Sequence, residues 1–133
     1  IFYRSGYLYQ IAADYRVAIE IRPAKPIMTE YVWLSPFGEL TIKEGYCWDG
    51  PSGPAIDTPN FMRGSLVHDA LYQLLREEHL PPECRETADH ILRRICIEDG
   101  MSSVRAWWVH LGVRFGGGPA ADPRNEKPIL TAP

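Results

Sequence analysis

A segment rich in glycine and proline divides the sequence into two halves of different character. Residues 45–59 read GYCWDGPSGPAIDTP, in which 6 of the 15 residues are glycine or proline. This composition disfavours both helix and strand, so we predict a long loop here. Strand-like alternation precedes the loop and helical periodicity follows it. That order predicts an α+β fold.

The part of the chain before the loop carries the pattern of β-strands. β-Branched and aromatic residues alternate with polar ones in four runs: residues 7–11, 15–21, 30–34 and 39–43. Such alternation is typical of a half-buried sheet. Ala13 and Asp14 predict a tight connection between the first two runs, and Ser-Pro-Phe-Gly at 35–38 predicts a turn before the last. We therefore expect a small N-terminal antiparallel β-meander.

Two amphipathic helices with clear ends are predicted after the loop. Thr58 is a capping residue followed by Pro59 at the first helical turn, and the second helix begins at the Pro-Pro pair 81–82 and ends at Gly100. Their apolar stripes are Leu66, Ala70, Leu71, Leu74 and Leu75 in the first helix and Ala88, Ile91, Leu92 and Ile95 in the second. Because the connection between them is short, we expect the two helices to pack antiparallel.

A third helix is expected to begin at Ser102 or Ser103 and to end at a run of three glycines. Its apolar residues recur at helical spacing and include the adjacent Trp107 and Trp108. Because such spacing is more typical of core than of a binding surface, we predict that both tryptophans are buried. His110 has no partner in the sequence and is expected to be exposed to solvent.

Length and composition limit the class of protein. The chain has 133 residues, 45% of them hydrophobic, which suits one globular domain and excludes two full-sized ones. We expect residues 1–116 to form a single α+β domain and residues 117–133 to be a Gly/Pro-rich tail. Fourteen Lys and Arg against 17 Asp and Glu give a net charge of −3, so no nucleic-acid partner is expected. No stretch is long and apolar enough to predict a transmembrane segment.

The polar residues of the first two helices indicate a catalytic pair. His68 and Tyr72 are four residues apart and share a face of the first helix, while Arg85 and Asp89 share a face of the second. In an antiparallel pair, Asp89 can reach one ring nitrogen of His68 and leave the other nitrogen to take a proton from water. The alternative is a satisfied buried pair that only locks the two helices together.

Other candidate residues surround this pair. Asp49 and Ser52 lie in the loop, where Ser52 lacks the strand-turn-helix context of a nucleophile elbow. We therefore assign His68 and Asp89 catalytic roles, and we assign supporting roles to four residues: Tyr72, Arg85, Asp49 and Ser52. A zinc site formed by His68, Asp69 and His90 is a weaker alternative.

Three motifs occur in order along the chain: DGPSGP at 49–54, HDALY at 68–72 and RETAD at 85–89. In this order the chain resembles a family of uncharacterised phage and prophage proteins, a domain of unknown function with Asp-Gly-x-Ser-x-Pro, His-Asp-x-Leu-Tyr and Ala-Asp motifs. The resemblance covers roughly residues 7–116. It implies location in the cytoplasm of the phage's bacterial host or in the virion, with phage particle proteins as partners.

The same residues have a more distant resemblance to the calcium-dependent secretory phospholipases (phospholipase A2). That resemblance implies that His68 is the general base, Asp89 the carboxylate that orients it and Tyr72 a supporting phenol. It also implies a Ca²⁺ cofactor that polarises an ester carbonyl. The implied calcium ligands are Asp69 and the carbonyls nearest to it in the loop, those of Trp48, Gly50 and Gly53.

Two functions follow from these resemblances. One is a small hydrolase with a His-Asp dyad that performs calcium-assisted hydrolysis of a lipid or another ester. The other is a non-catalytic phage structural or accessory protein in which the dyad only holds the helices together.

Overall fold

A computed structural model describes residues 1, 3–4, 9–48 and 58–122. The strands are β1 (Tyr3–Arg4), β2 (Tyr9–Ile11), β3 (Tyr15–Ala18), β4 (Ile27–Met28), β5 (Val32–Leu34), β6 (Glu39–Ile42) and β7 (Cys47–Trp48). The helices are α1 (Pro59–Arg76), α2 (Cys84–Glu98), α3 (Ser103–Gly116) and the short α4 (Gly118–Ala121). Strands precede helices, which confirms the predicted α+β class with an N-terminal antiparallel meander.

The strands form two antiparallel sheets with the orders β1-β2-β7 and β3-β6-β5-β4. The predicted turn between β5 and β6 is present, and its Gly38 has a φ of 83°, which glycine adopts without strain. Ala13 and Asp14 lie in the short connection between β2 and β3, as predicted, but the two strands belong to different sheets. Asp14 accepts hydrogen bonds from Nζ of Lys43 at 2.6 Å and from the amide of Glu44 at 2.8 Å. These bonds tie the corner between the sheets to the end of β6.

The beginning of the predicted loop also differs from expectation. Cys47 and Trp48 form β7 and pair with Gln10 and Tyr9 of β2. Neither residue is glycine or proline, and Trp48 is buried. A short strand therefore extends into the segment predicted as loop.

The ends of the three long helices lie close to their predicted positions. Thr58 occupies the N-cap of α1, although its side chain makes no capping hydrogen bond. Gly100 follows α2 with a φ of 99°, as expected for a helix that ends in the left-handed conformation. The hydroxyl of Ser102 caps α3 by accepting a hydrogen bond from the amide of Arg105 at 3.2 Å.

Helices α1 and α2 pack antiparallel, as predicted. Arg63 near the start of α1 binds Asp99 just beyond the end of α2, with Nε 2.9 Å from Oδ2. Tyr72 near the end of α1 contacts Arg85 in the first turn of α2. The predicted apolar stripes of both helices are buried. Most of these residues form one core with the inner sides of the sheets.

Two predictions for α3 are wrong. Trp107 and Trp108 are 44% and 63% exposed, whereas the buried residues of this helix are Ala106 and His110. Because apolar residues surround most of the circumference of α3, their spacing did not identify the face that packs against α2. Beyond α3, residues 118–121 of the predicted tail form α4, and Ala121 packs against the main core. Within the described residues, no helix has the length and apolar character needed to cross a bilayer.

Candidate functional site

The carboxylate of Asp89 is the centre of the candidate site. It is 0% exposed and lies on the inner face of α2. Its Oδ1 is 2.7 Å from Nε2 of His68 and accepts a hydrogen bond from the hydroxyl of Tyr72 at 2.6 Å. Its Oδ2 accepts a hydrogen bond from Nη1 of Arg114 at 2.9 Å. The fold thus brings together three residues that the sequence predicted and one that it did not.

These hydrogen bonds determine the charge of Asp89. Burial raises the pKa of this carboxyl, but the hydrogen bonds from His68, Tyr72 and Arg114 outweigh burial and lower the pKa below its ordinary value. The carboxylate is therefore ionised at neutral pH and can only accept hydrogen bonds. The hydrogen in the contact with His68 consequently belongs to Nε2, which leaves Nδ1 as the unprotonated nitrogen whenever the ring is neutral.

His68 connects the buried carboxylate to the protein surface. Its side chain retains 13% exposure. The imidazole lies against the ring of Tyr72, with 4.0 Å between the ring centroids. Within the described part of the chain, the contact with Asp89 is the one hydrogen bond of the His68 side chain. The ring is therefore held at Nε2 by Asp89, and a small part of the side chain reaches the protein surface.

Arg85 holds Tyr72 and the end of α3. Its Nε donates to the hydroxyl of Tyr72 at 3.2 Å, and its Nη2 donates to the carbonyls of Val113 and Arg114 at 2.8 Å each. Burial and the hydrogen bond to ionised Asp89 raise the pKa of Tyr72, so the phenol stays protonated and donates to the carboxylate. The supporting positions predicted for Tyr72 and Arg85 are therefore next to the pair.

The contribution of α3 to the site was not predicted from the sequence. Arg114 binds the carboxylate of Asp89, and Nδ1 of His110 lies 3.3 Å from the carbonyl oxygen of Asp89. His110 and Arg114 are four residues apart, so this polar pair on one face of an otherwise apolar helix was the available signal. Gly117 also has a role here, because a Cβ at this position would lie 2.8 Å from the Tyr72 hydroxyl.

Asp69 has a different partner from its neighbour His68. The hydroxyl of Tyr46 donates to Oδ2 of Asp69. Burial and the nearby charge of Asp69 raise the pKa of Tyr46, so the phenol remains a donor. The described residues include no group of three or more His, Cys, Asp or Glu side chains placed to hold a metal ion. The alternative zinc site with His90 is therefore not formed.

The loop residues predicted for the site, Asp49, Gly50, Ser52 and Gly53, lie outside the described residues. Trp48, which directly precedes them, is described. Its Nε1 donates to Oγ of Ser65 at 3.1 Å. Ser65 and Asp69 are one helical turn apart and share a face of α1. The start of the loop is therefore anchored beside the turn of α1 that carries Asp69.

A cavity of about 450 Å³ lies between the end of α1, the connection to α2 and the segment that follows α3. Arg85 and Glu78 are among its lining residues. Neither His68 nor Asp89 is among the described residues that line it. The described lining of this cavity therefore contains Arg85 of the site but not the pair itself.

Comparison with known families and proteins gives one match. A family model described as "Protein of unknown function (DUF1353)" matches residues 27–113. No curated protein matches the chain, and no solved structure matches it. The matched region contains His68, Tyr72 and Asp89 and ends one residue before Arg114.

Proposed function

The chain belongs to the DUF1353 family of proteins of unknown function, and within it we propose that this protein is a small hydrolase. In this proposal His68 is the general base and Asp89 is the carboxylate that orients it. The supporting observation is the 2.7 Å contact between Nε2 of His68 and Oδ1 of a fully buried Asp89. A general base needs a fixed ring and an unprotonated nitrogen, and this contact favours both.

The proposed reaction is the hydrolysis of an ester. Nδ1 of His68 takes a proton from water while the water oxygen attacks the carbonyl carbon. Ionised Asp89 stabilises the imidazolium, which then returns the proton to the departing alkoxide, so that the products are an acid and an alcohol. Arg114 and Tyr72 also bind Asp89 and favour its ionised form, so Asp89 orients the ring without itself taking the proton.

Calcium is part of the proposal. Ca²⁺ prefers oxygen ligands, and the carboxylate of Asp69 would supply one beside the general base. The carbonyls of Trp48, Gly50 and Gly53 would supply others. The anchoring of Trp48 on Ser65, one turn before Asp69, supports a loop that starts close to this carboxylate. When bound, the ion would polarise the ester carbonyl.

The proposed substrate is a lipid or another ester, with Asp49 and Ser52 of the loop in supporting roles. The resemblance to phage and prophage proteins supports a phage or prophage origin. We therefore propose a location in the cytoplasm of the bacterial host or in the virion. The net charge of −3 favours partners other than nucleic acid.

A second candidate function is that of a non-catalytic phage structural or accessory protein. The number of donors around Asp89 favours it, because His68, Tyr72 and Arg114 together join α1, α2 and α3 through one buried carboxylate. A fully satisfied buried network of this kind specifies how helices pack, with no chemistry required. Phage particle proteins would then be the partners.

Turnover of a nitrophenyl ester and of phosphatidylcholine, each with calcium present, separates the two candidates. We expect His68→Gln to lower kcat/KM by about a hundredfold or more, as for loss of a positioned base. His79→Gln is the matched control, because His79 is an exposed histidine in the turn after α1, and we expect its activity to match that of the parent protein. No turnover by the folded parent, or equal turnover by His68→Gln, would favour the non-catalytic candidate.

A further inference from the structure

The cavity of about 450 Å³ lies between two helix ends of opposite polarity. Leu75 and Glu78 line it from the last turn of α1 and the turn that follows. Pro81, Pro82 and Arg85 line it from the segment that leads into α2 and from the first turn of that helix. A helix carries a partial negative charge at its C-terminus and a partial positive charge at its N-terminus. One side of the cavity therefore favours a cation and the other side favours an anion.

Arg85 adds a full positive charge at the α2 side. Its Nε and Nη2 donate to the hydroxyl of Tyr72 and to two backbone carbonyls of α3, and no carboxylate of the described residues forms an ion pair with it. Its Nη1 lies beside Gly118, another lining residue, where a Cβ would be 3.8 Å from this nitrogen. Nη1 has no acceptor within the described part of the chain, so it can donate to a ligand.

Glu78 adds a negative charge at the α1 side, in a conformation that glycine ordinarily supplies. It follows the C-cap of α1 with a φ of 62°, and its amide donates to the carbonyl of Leu75 at 3.1 Å. A Cβ is strained there, and an acid is unfavourable beside the negative end of a helix. Residues kept in a strained conformation are concentrated at functional sites. Both costs to stability therefore support a binding role for this carboxylate.

We propose that the cavity binds a small zwitterion, a free apolar α-amino acid. The carboxylate of the ligand would accept a hydrogen bond from Nη1 of Arg85, and its ammonium group would lie beside Glu78. Its side chain would pack against Leu75 and Leu80, which are lining residues as well. The volume of the cavity lies within the range of small-molecule sites, about 300–1,000 Å³.

The two signs of charge favour a zwitterion over a simple ion. A simple anion would pair with Arg85 but would also meet Glu78 and a second lining acid, Asp122. A simple cation would meet Arg85. The described lining includes neither His68 nor Asp89, so this assignment does not rest on the proposed hydrolase.

Isothermal titration calorimetry of the full chain with L-leucine tests the assignment. L-Leucinamide lacks the carboxylate and isocaproate lacks the ammonium group, so each analogue tests one end of the ligand. We expect L-leucine to bind at least about tenfold more tightly than either analogue.

Two substitutions of Glu78 test its role. Glu78→Gln keeps the length of the side chain and removes its charge, and we expect it to weaken binding of L-leucine by about tenfold. Glu78→Gly is expected to weaken binding similarly while it raises stability, so that the loss cannot be attributed to unfolding. Glu77→Gln is the matched control, because Glu77 is the adjacent acid and is not among the described lining residues. We expect it to bind as the parent protein does.

Several outcomes would overturn the assignment. They are absence of L-leucine binding at millimolar concentrations, binding of isocaproate or L-leucinamide as tight as that of L-leucine, and undiminished binding by Glu78→Gln. His68→Gln is expected to bind L-leucine normally, so failure of the hydrolase proposal and failure of this one give different results.

Discussion

Replacing Asp89 with alanine tests how strongly the packing of the three long helices depends on one buried carboxylate. The substitution removes the acceptor of His68, Tyr72 and Arg114 at once. A buried donor left without a partner costs about 1–3 kcal/mol, and breaking a buried ion pair costs about 3–5 kcal/mol.

The surroundings of the three donors set the size of the effect. The side chain of Arg114 is 29% exposed, so water compensates part of the lost ion pair. Tyr72 is buried and its hydroxyl cannot be solvated without movement of the helices. We therefore expect Asp89→Ala to lower the free energy of unfolding by about 3–4 kcal/mol. For a domain of this size that corresponds to a fall in Tm on the order of 10 °C.

Urea denaturation followed by circular dichroism measures this loss, and thermal melts provide a second value. Glu86→Ala is the matched control, because Glu86 is an exposed acid on the same helix. We expect its effect to be within about 0.5 kcal/mol. A loss below about 1 kcal/mol for Asp89→Ala would refute the conclusion that this carboxylate is the structural centre of the helices.

Three further predictions concern stability. A Cβ on Gly64 would lie 2.8 Å from Sγ of the buried Cys96, so Gly64→Ala should destabilise the protein by about 1 kcal/mol despite the better helix propensity of alanine. A Cβ on Gly112 would have nothing within 4 Å among the described residues, so Gly112→Ala should stabilise the protein by up to about 1 kcal/mol. Urea denaturation in which both variants change the free energy of unfolding in the same direction would contradict this. Glu78 adopts a φ of 62° just beyond α1, a left-handed conformation that strains a residue with a Cβ. Glu78→Gly should therefore raise the free energy of unfolding by about 1 kcal/mol in the same assay, and a lower free energy of unfolding would contradict this. Because the pKa of Asp89 is lowered in the fold, the contribution of its carboxylate to stability is fully present above about pH 4 and is lost as pH falls through the folded pKa. The difference in free energy of unfolding between the parent protein and Asp89→Asn should therefore shrink in acid. A difference that does not change with pH would contradict this prediction.

The core of the candidate site could be predicted from the sequence because it lies on two helices with distinct apolar stripes. Those stripes fix which way α1 and α2 face, and the short connection makes them antiparallel. The i, i+4 spacing then places His68 and Tyr72 opposite Asp89. No information about distant parts of the chain was needed for these three residues.

The remaining contacts depend on long-range packing that periodicity does not encode. Helix α3 is apolar on both sides, so helical spacing favoured Trp108 over His110 for the core and gave no place to Arg114. Tyr46 binds Asp69 across 23 positions of the sequence, and no local pattern indicates that contact. Asp14, between β2 and β3, is bound by Lys43 and Glu44 beyond β6, another contact that no local pattern indicates.

The tautomer of His68 is the most direct measurable consequence of its contact with Asp89. Long-range ¹H–¹⁵N correlation of the ¹⁵N-labelled protein, at a pH where the ring is neutral, reports which imidazole nitrogen carries the proton. The signals of His68 are identified by their loss in His68→Gln. We expect the proton on Nε2, with Nδ1 as the unprotonated nitrogen that general-base chemistry requires. A proton on Nδ1, or an averaged mixture of the two tautomers, would contradict the role assigned to Asp89.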